Sequence, residues 1–262
     1  MRILVTNDDG IRAEGLKAMV EVAQELGEVW VVAPDRERSA CGHSLTMRDP
    51  LRVKPHPWES AHAFELSGVP TDCVNVGREL MDQRVDLVLS GFNHGPNLGF
   101  DITYSGTVAA AMEGALNGIR SVSASMAMFT EEAPLHLTTG KAAFRELLPR
   151  LLQLEWPALA FFNVNVPAID RAELNAPVFC SMGRRVYEDR IEKREDPWGR
   201  TYYWQGGVVA MHRDQPNTDV EAINRGHVSV TPITLDWTDR ALLDRLLVAD
   251  RDHPAVDPAL ER

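Results

Sequence analysis

Within its first 35 residues the chain passes from an apolar run, Arg2 to Thr6, through the polar Asn7-Asp8-Asp9-Gly10 to a second apolar run, Glu28 to Ala33. Between them Leu16, Met19, Val20, Val22 and Ala23 recur at helical spacing, Gly27 ends the helix, and Pro34-Asp35 closes the second run. Two strands joined by a helix lie parallel, because a parallel pair needs a crossover connection, and a parallel sheet is covered by helices on its faces. This opening unit therefore commits the chain to an α/β architecture.

The alternation continues. Arg36 to Thr46 is a polar loop, and the proline-bearing stretch up to Leu66 reads as short strands and loops. Gly68-Val69-Pro70-Thr71-Asp72 turns into a helix capped by Thr71 or Asp72 and running to about Asp82. Val85 to Ser90 is a buried strand, Gly91 to Gly99 a glycine- and asparagine-rich loop, and a small-residue helix starts near Ser105 and ends at Gly118. A strand at Arg120 to Ala127, a helix from about Leu135 to Leu154 broken or bent near Pro149, and a strand at Leu159 to Val166 follow. Residues 1–167 thus read as a doubly wound, mostly parallel, Rossmann-like α/β core.

Residues 168–262 read as a C-terminal extension. Arg184 to Lys193 and Arg200 to Trp204 flank the turn signal Asp196-Pro197-Trp198-Gly199, giving a β-hairpin arm over about residues 184–204. His227 to Leu235 is a strand, Thr238 to Ala249 a terminal helix, and the tail after Asp250 is polar and frayed. Pattern alone leaves the aromatic hairpin two destinations, a neighbouring subunit or its own domain.

Charge narrows the function. The 27 Lys and Arg stand against 38 Asp and Glu, a net −11, so the field of the chain repels phosphate backbones and a nucleic-acid polymer is not its partner. A smaller phosphate-bearing substrate needs a local offset, which a metal ion or a helix N-terminus supplies. Cys41, Cys73 and Cys180 form no CxxC pair, so neither a disulfide framework nor a zinc knuckle is indicated, and a reducing cytoplasm fits. Two carboxylates by residue 9 come too soon for the apolar region of a signal peptide, and no stretch approaches a membrane span.

Ligands of an open parallel sheet sit beyond the carboxyl ends of its strands, so the residues that follow each apolar run carry the chemistry. Asp8 and Asp9 follow the first run. Two adjacent carboxylates in a tight loop repel each other, and a hard divalent cation relieves that repulsion; the competing use is one Asp capping the helix and the other in solvent. Asp35-Arg36-Glu37-Arg38-Ser39 follows the second run, and the loop from Ser90 to Gly99 brings Asn93 and Asn97. Neutral Ser and Asn oxygens complete a magnesium or manganese shell without excess charge, although such a loop also serves as a plain tight turn. Ser105-Gly106-Thr107 opens the small-residue helix, where free N–H groups, two hydroxyls and the dipole make either an anion cradle or an ordinary cap. Acid pair, neutral oxygens and cradle on successive loops of one sheet edge form the layout of metal-assisted phosphoryl hydrolysis.

Other chemistries lack their signatures. His43, His94 and His227 have no zinc-ligand spacing, Cys73 has no base partner, and neither GxSxG, GxxxxGK[ST] nor a GxGxxG after the first strand occurs.

The motifs RILVTNDDG, VVAPDRERSACGHS, GVPTDCV, LVLSGFNHGPNLG and YSGTVAAAMEG, in that order and followed by NVNVP, DPWGRTYYW and GHVSVTPI, resemble the SurE (survival protein E) family through nearly the whole chain. The resemblance implies a cytoplasmic nucleotidase that removes phosphate from nucleoside 5′- and 3′-monophosphates, often splitting short polyphosphate as well, with one divalent cation, Mg²⁺ or Mn²⁺, per subunit. It implies Asp8, Asp9, Ser39 and Asn93 as metal ligands, Asn97 with Ser105, Gly106 and Thr107 as phosphate contacts, and Asp8, Asp9 and Asn97 as the catalytic set. It also implies a homodimer, which can pair into a tetramer, built by exchange of the hairpin arm and C-terminal helix. Phe92 stands where the family usually has Val or Ile, and Cys41 brings a thiol close to Ser39. A non-enzymatic alternative, a receiver-like signalling module, shares the acid pair after the first strand. It needs a separate phospho-acceptor Asp after the third strand and a later Lys, whereas this chain offers Asn93 and Asn97 there, and no Lys follows them until Lys141.

Overall fold

The computed structural model describes residues 1–58, 61–128, 134–212 and 215–249, and the polar tail falls outside them. In chain order the elements are β1 (Arg2–Thr6), α1 (Glu14–Ala23), β2 (Glu28–Pro34), β3 (Val53–Pro55), β4 (His62–Leu66), α2 (Pro70–Leu80) and β5 (Leu87–His94). A 3-10 turn (Gly99–Thr103), α3 (Gly106–Leu116), β6 (Arg120–Ala127), α4 (Leu137–Leu152) and β7 (Ala160–Pro167) follow. The remainder holds β8 (Asn175–Phe179), β9 (Arg185–Glu195), β10 (Thr201–His212), α5 (Asp219–Asn224), β11 (His227–Thr234) and α6 (Arg240–Ala249).

Nine strands form one sheet in the order β3-β4-β2-β1-β5-β6-β7-β11-β8. It is parallel from β4 to β7, with β3 antiparallel at one edge and β11 antiparallel to β7. Alternation along β1 serves two cores: Ile3 and Val5 pack with Leu16 and Met19 of α1 and Phe144 and Leu148 of α4, while Leu4 packs with Cys73 and Val74 of α2 and Ala110 of α3. Helices cover both faces, as a doubly wound fold requires. The chain leaves β1 toward β2 on one side and later returns to β5 on the other, so the switch point lies between the carboxyl ends of β1 and β5. Among the described residues no helix is long and apolar enough to cross a membrane.

Several local expectations are corrected. Helix α2 begins at Pro70, so Thr71 and Asp72 lie in its first turn; the Thr71 hydroxyl is buried without a partner, and Asp72 reaches back to accept the Val69 N–H at 2.9 Å. Strand β5 does not stop at Ser90. Gly91, at φ 129°, absorbs a register shift between Ser90 and Asn93, after which Asn93 pairs with Ser125 and His94 with Met126. The shift lets Phe92 bury its ring edge-on against Phe144, with centroids 4.9 Å apart. Helix α4 runs through Pro149 unbroken, since a proline so near the helix end removes one backbone bond and leaves three residues to follow. Strand β8 and helix α5 carry no pattern long enough to have been read.

The arm is longer than expected, because β10 continues to His212 with a shift between Val209 and Met211. Its turn is held by Asp196, which accepts the Trp198 and Arg200 N–H groups at 2.9 Å each and the Arg200 Nε–H at 2.8 Å. Among the described strands β9 and β10 pair only with each other. The main sheet meanwhile takes β11 and β8 from beyond Pro167.

Candidate active site

Asn7, fully buried at the end of β1, closes the acid loop on itself: its side chain accepts the Gly10 N–H at 3.2 Å and donates to the Gly10 carbonyl at 3.1 Å. Asp8 and Asp9 are thereby presented at the tip, and the Arg38 N–H donates to the Asp8 carbonyl at 2.7 Å, tying in the loop after β2.

Asp8 is buried against the start of α3. The Thr107 hydroxyl donates to its Oδ1. Burial raises the Asp8 pKa, while the Thr107 hydroxyl and the Thr107 and Gly106 N–H groups work in the other direction. Helix start and acid are so close that a Cβ on residue 106 would lie 2.8 Å from the Asp8 Cβ and 2.9 Å from its Oδ2, which explains glycine there. Asp9 is pushed up to about 7, first by burial and then by the charge of Asp8, with Glu37 adding to the repulsion.

At the end of β5 the Asn93 amide donates to the Gly95 carbonyl at 2.8 Å, and its Oδ1 lies 3.2 Å from the Thr107 hydroxyl. Asp8, Asn93, Gly106 and Thr107 therefore come together at the switch point. Asp9 and Ser39 line an adjoining cavity of about 760 Å³ with Glu14, Glu37, Phe92 and His94. Ser39 is at its rim, exposed, donating to Glu37 Oε1 at 2.7 Å. Ser105 is the N-cap of α3, its hydroxyl accepting the Val108 N–H at 3.1 Å and keeping its own proton to donate.

Asn97 is fixed by partners on β6 and β7. Its side-chain amide donates to Ser125 Oγ at 2.8 Å, and its main chain is clamped by β7: Asn165 accepts its N–H at 2.8 Å, while Asn163 and Asn165 each donate to its carbonyl at 2.9 Å. Cys41 lies beside residue 106 and Asp8. Burial, and then the charge of Asp8, push its thiol up to about 11, so near neutral pH it is a protonated neighbour and a poor nucleophile or ligand.

Among the described residues no three His, Cys, Asp or Glu side chains converge to hold a metal. A cation here would take two carboxylates and complete its shell with neutral oxygens, the chemistry preferred by hard divalent ions. Asn7, Asn163 and Asn165 were missed by sequence reasoning. The alternation of Asn with Val inside NVNVP was the signal for Asn163 and Asn165, because polar side chains on a buried strand must find partners.

A profile of the family described as Survival protein SurE matches residues 3–189. The 5′-nucleotidase SurE of Geobacter sulfurreducens is 47% identical over 249 residues, 94% of this chain and 92% of that one. The 5′-nucleotidase SurE of Pelobacter propionicus is 46% identical over 243 residues, 92% of this chain and 96% of that one. Among solved structures, the SurE protein from Aquifex aeolicus superposes with a TM-score of 0.82 at 36% identity, covering 95% of this chain and all of that one, 100%.

Proposed function

This chain belongs to the SurE family, and on that premise we propose that it is a metal-dependent phosphomonoesterase hydrolysing nucleoside 5′- and 3′-monophosphates, and short polyphosphate, to release phosphate. The observation that carries the reading is the acid pair at the switch point, with Asp9 pushed up to about 7 beside the buried Asp8. Two carboxylates that resist ionising together near neutral pH suit a cation that would hold both as anions. No observation favours the receiver-like alternative.

Asp8, Asp9, Ser39 and Asn93 would hold one Mg²⁺ or Mn²⁺ per subunit, an all-oxygen donor set that fits either ion. When bound, the ion supplies positive charge against the phosphate and Lewis acidity for its displacement. The chain supplies the rest. The start of α3 presents the Ser105 and Thr107 hydroxyls and the partial positive charge of its N-terminus toward the remaining phosphate oxygens. Thr107 donates to Asp8 and lies within reach of Asn93, so it links the acid loop to the end of β5. Asn97, rigidly held through its main chain by Asn163 and Asn165, is a fixed contact for the phosphate.

We assign the β9–β10 arm and α6 to exchange between subunits, in a homodimer that can pair into a tetramer, and the protein to the cytoplasm. Trp198, Tyr203 and Trp204 on the arm and Leu246 and Leu247 on α6 are exposed, a large apolar load for surface elements.

A phosphate-release panel over nucleoside 5′- and 3′-monophosphates and short polyphosphate, run with Mn²⁺, Mg²⁺ and EDTA, tests the reading. Release from the monophosphates with metal and none with EDTA is expected; equal release in EDTA, or none from any nucleotide, overturns it. Thr107→Ala should lower turnover at least about tenfold and weaken inhibition by vanadate. Ser105→Ala should lower turnover as well and in addition cost about 1 kcal/mol of stability through loss of the cap. Thermal melts beside steady-state rates separate the two, and a Thr107→Ala enzyme with unchanged turnover contradicts the role given to its hydroxyl.

A further inference from the structure

We propose that Asp219 is a positioning residue of the active site, holding the Asn97-Leu98-Gly99 loop to the root of the β9–β10 arm through its two carboxylate oxygens. The inference rests on the reading of Asn97 as a phosphate contact. Asp219 is fully buried in the first turn of α5, far in sequence from every residue assigned to the site. Its Oδ2 accepts the Gly99 N–H at 2.8 Å, while its Oδ1 accepts the Gly183 N–H at 2.7 Å and the Val220 N–H at 2.8 Å.

A buried carboxylate is costly unless strong hydrogen bonds compensate it. Here it does what a neutral side chain of the same size cannot: it accepts N–H groups from two separate loops and from its own helix at once. An amide at this position offers one accepting oxygen and turns its NH₂ toward an N–H donor.

The two loops that Asp219 joins run against each other. A Cβ on Gly99 would lie 2.4 Å from the Gly183 carbonyl oxygen, and two residues further along each segment Asp101 and Arg185 form an ion pair. On its other side the Asn97 main chain is fixed by Asn163 and Asn165 of β7. Asn97 to Gly99 is thus stretched between two tethers, one on the sheet and one at Asp219. Loss of the second frees Asn97 on the side that faces the arm, without touching Asp8, Asp9 or Asn93. The arm root and the site loop therefore share one carboxylate, and a disturbance of either reaches the other.

The test uses the full chain with Mn²⁺. Asp219→Asn is expected to lower kcat on a nucleoside 5′-monophosphate at least about tenfold and to weaken vanadate inhibition by a similar factor, with Mn²⁺ affinity held within about twofold. Gly183→Ala approaches the same carboxylate from the arm, its Cβ placed 3.0 Å from Asp219 Oδ1, and should shift kcat and vanadate inhibition in the same direction. It carries the test should Asp219→Asn fail to fold. Variants that melt at lower temperature but keep wild-type kcat and vanadate inhibition well below the melt reduce Asp219 to a structural residue and overturn the proposal. A fall in Mn²⁺ affinity in step with turnover overturns it too. Wild-type protein that releases no phosphate from any nucleotide defeats the underlying reading instead, a result distinct from an active wild type with unaffected variants.

Discussion

Asp9→Asn, and likewise Asp8→Asn, is expected to lower turnover at saturating Mn²⁺ by at least about a hundredfold, a loss of roughly 3 kcal/mol of barrier lowering, and to weaken metal binding. Each substitution removes one of the two anionic donors at the switch point and leaves the neutral oxygens of Ser39 and Asn93 unable to replace its charge. Near-normal turnover in either variant at saturating Mn²⁺ contradicts the assignment. The same acids make a second measurement available without substrate. In EDTA the folded protein holds Asp9 up at about 7, against an ordinary value of 3.8, so between those values the folded state binds more protons than the unfolded one. Stability contributed by this group is therefore fully present below the ordinary value and is lost as pH rises through about 7. Melting temperatures of the EDTA-treated wild type should fall across that window more steeply than those of Asp9→Asn. Parallel curves for the two proteins count against the repulsion on which the site is argued.

The second large effect concerns assembly. Removing Glu192 to Trp204 and joining Ile191 to Gln205, which face each other in the ribbon, through an Asn-Gly turn keeps the inner pairs in register. The shortened protein is expected to move to a smaller mass class by light scattering while still binding Mn²⁺. The physical ground is the apolar surface at the distal end, where Trp198 is 77% and Trp204 59% exposed on a two-stranded ribbon, an element marginal on its own in water. Intact protein that runs as a monomer at micromolar concentration, or a deletion that leaves the mass class unchanged, shows that the arm serves its own subunit.

What could be read in advance follows from the range of the interactions. β1, α1 and β2 were legible because period is local: the alternation of Ile3, Leu4 and Val5 between two cores needs only a covered sheet, although α1 ends at Ala23, before the Gly27 that was read as its stop. The acid pair was legible for the same reason, since sheet topology delivers Asp8 and Asp9 to the ligand edge. β5 was cut short because Gly91 reads as a loop residue, whereas pairing with β6 and the burial of Phe92 carry the strand past it. Asp72 was read as a cap and sits two residues inside the helix, because Pro70 occupies its first position. Asp219 could not be read at all, because its partner Gly99 lies 120 residues away and no local pattern announces such a contact. The alternation in NVNVP marks Asn165 as a buried polar residue but does not announce its partner Asn97, 68 residues away.

The sheet order has a further consequence for how the molecule opens. β1 and β5 lie in the interior of nine strands, so their amides are protected on both sides and can exchange with solvent only when the whole sheet comes apart. The ribbon, paired only within itself, belongs to the opposite end of the scale and can fray from the Asp196 turn inward without breaking a main-sheet ladder. Fraying has to travel the full length of β9, back to Arg185, before it reaches the joint at Gly183. The molecule thus confines its earliest thermal opening to the arm and keeps its slowest-exchanging protons under the acids, so fraying of the ribbon and loss of the site are separate events in its unfolding.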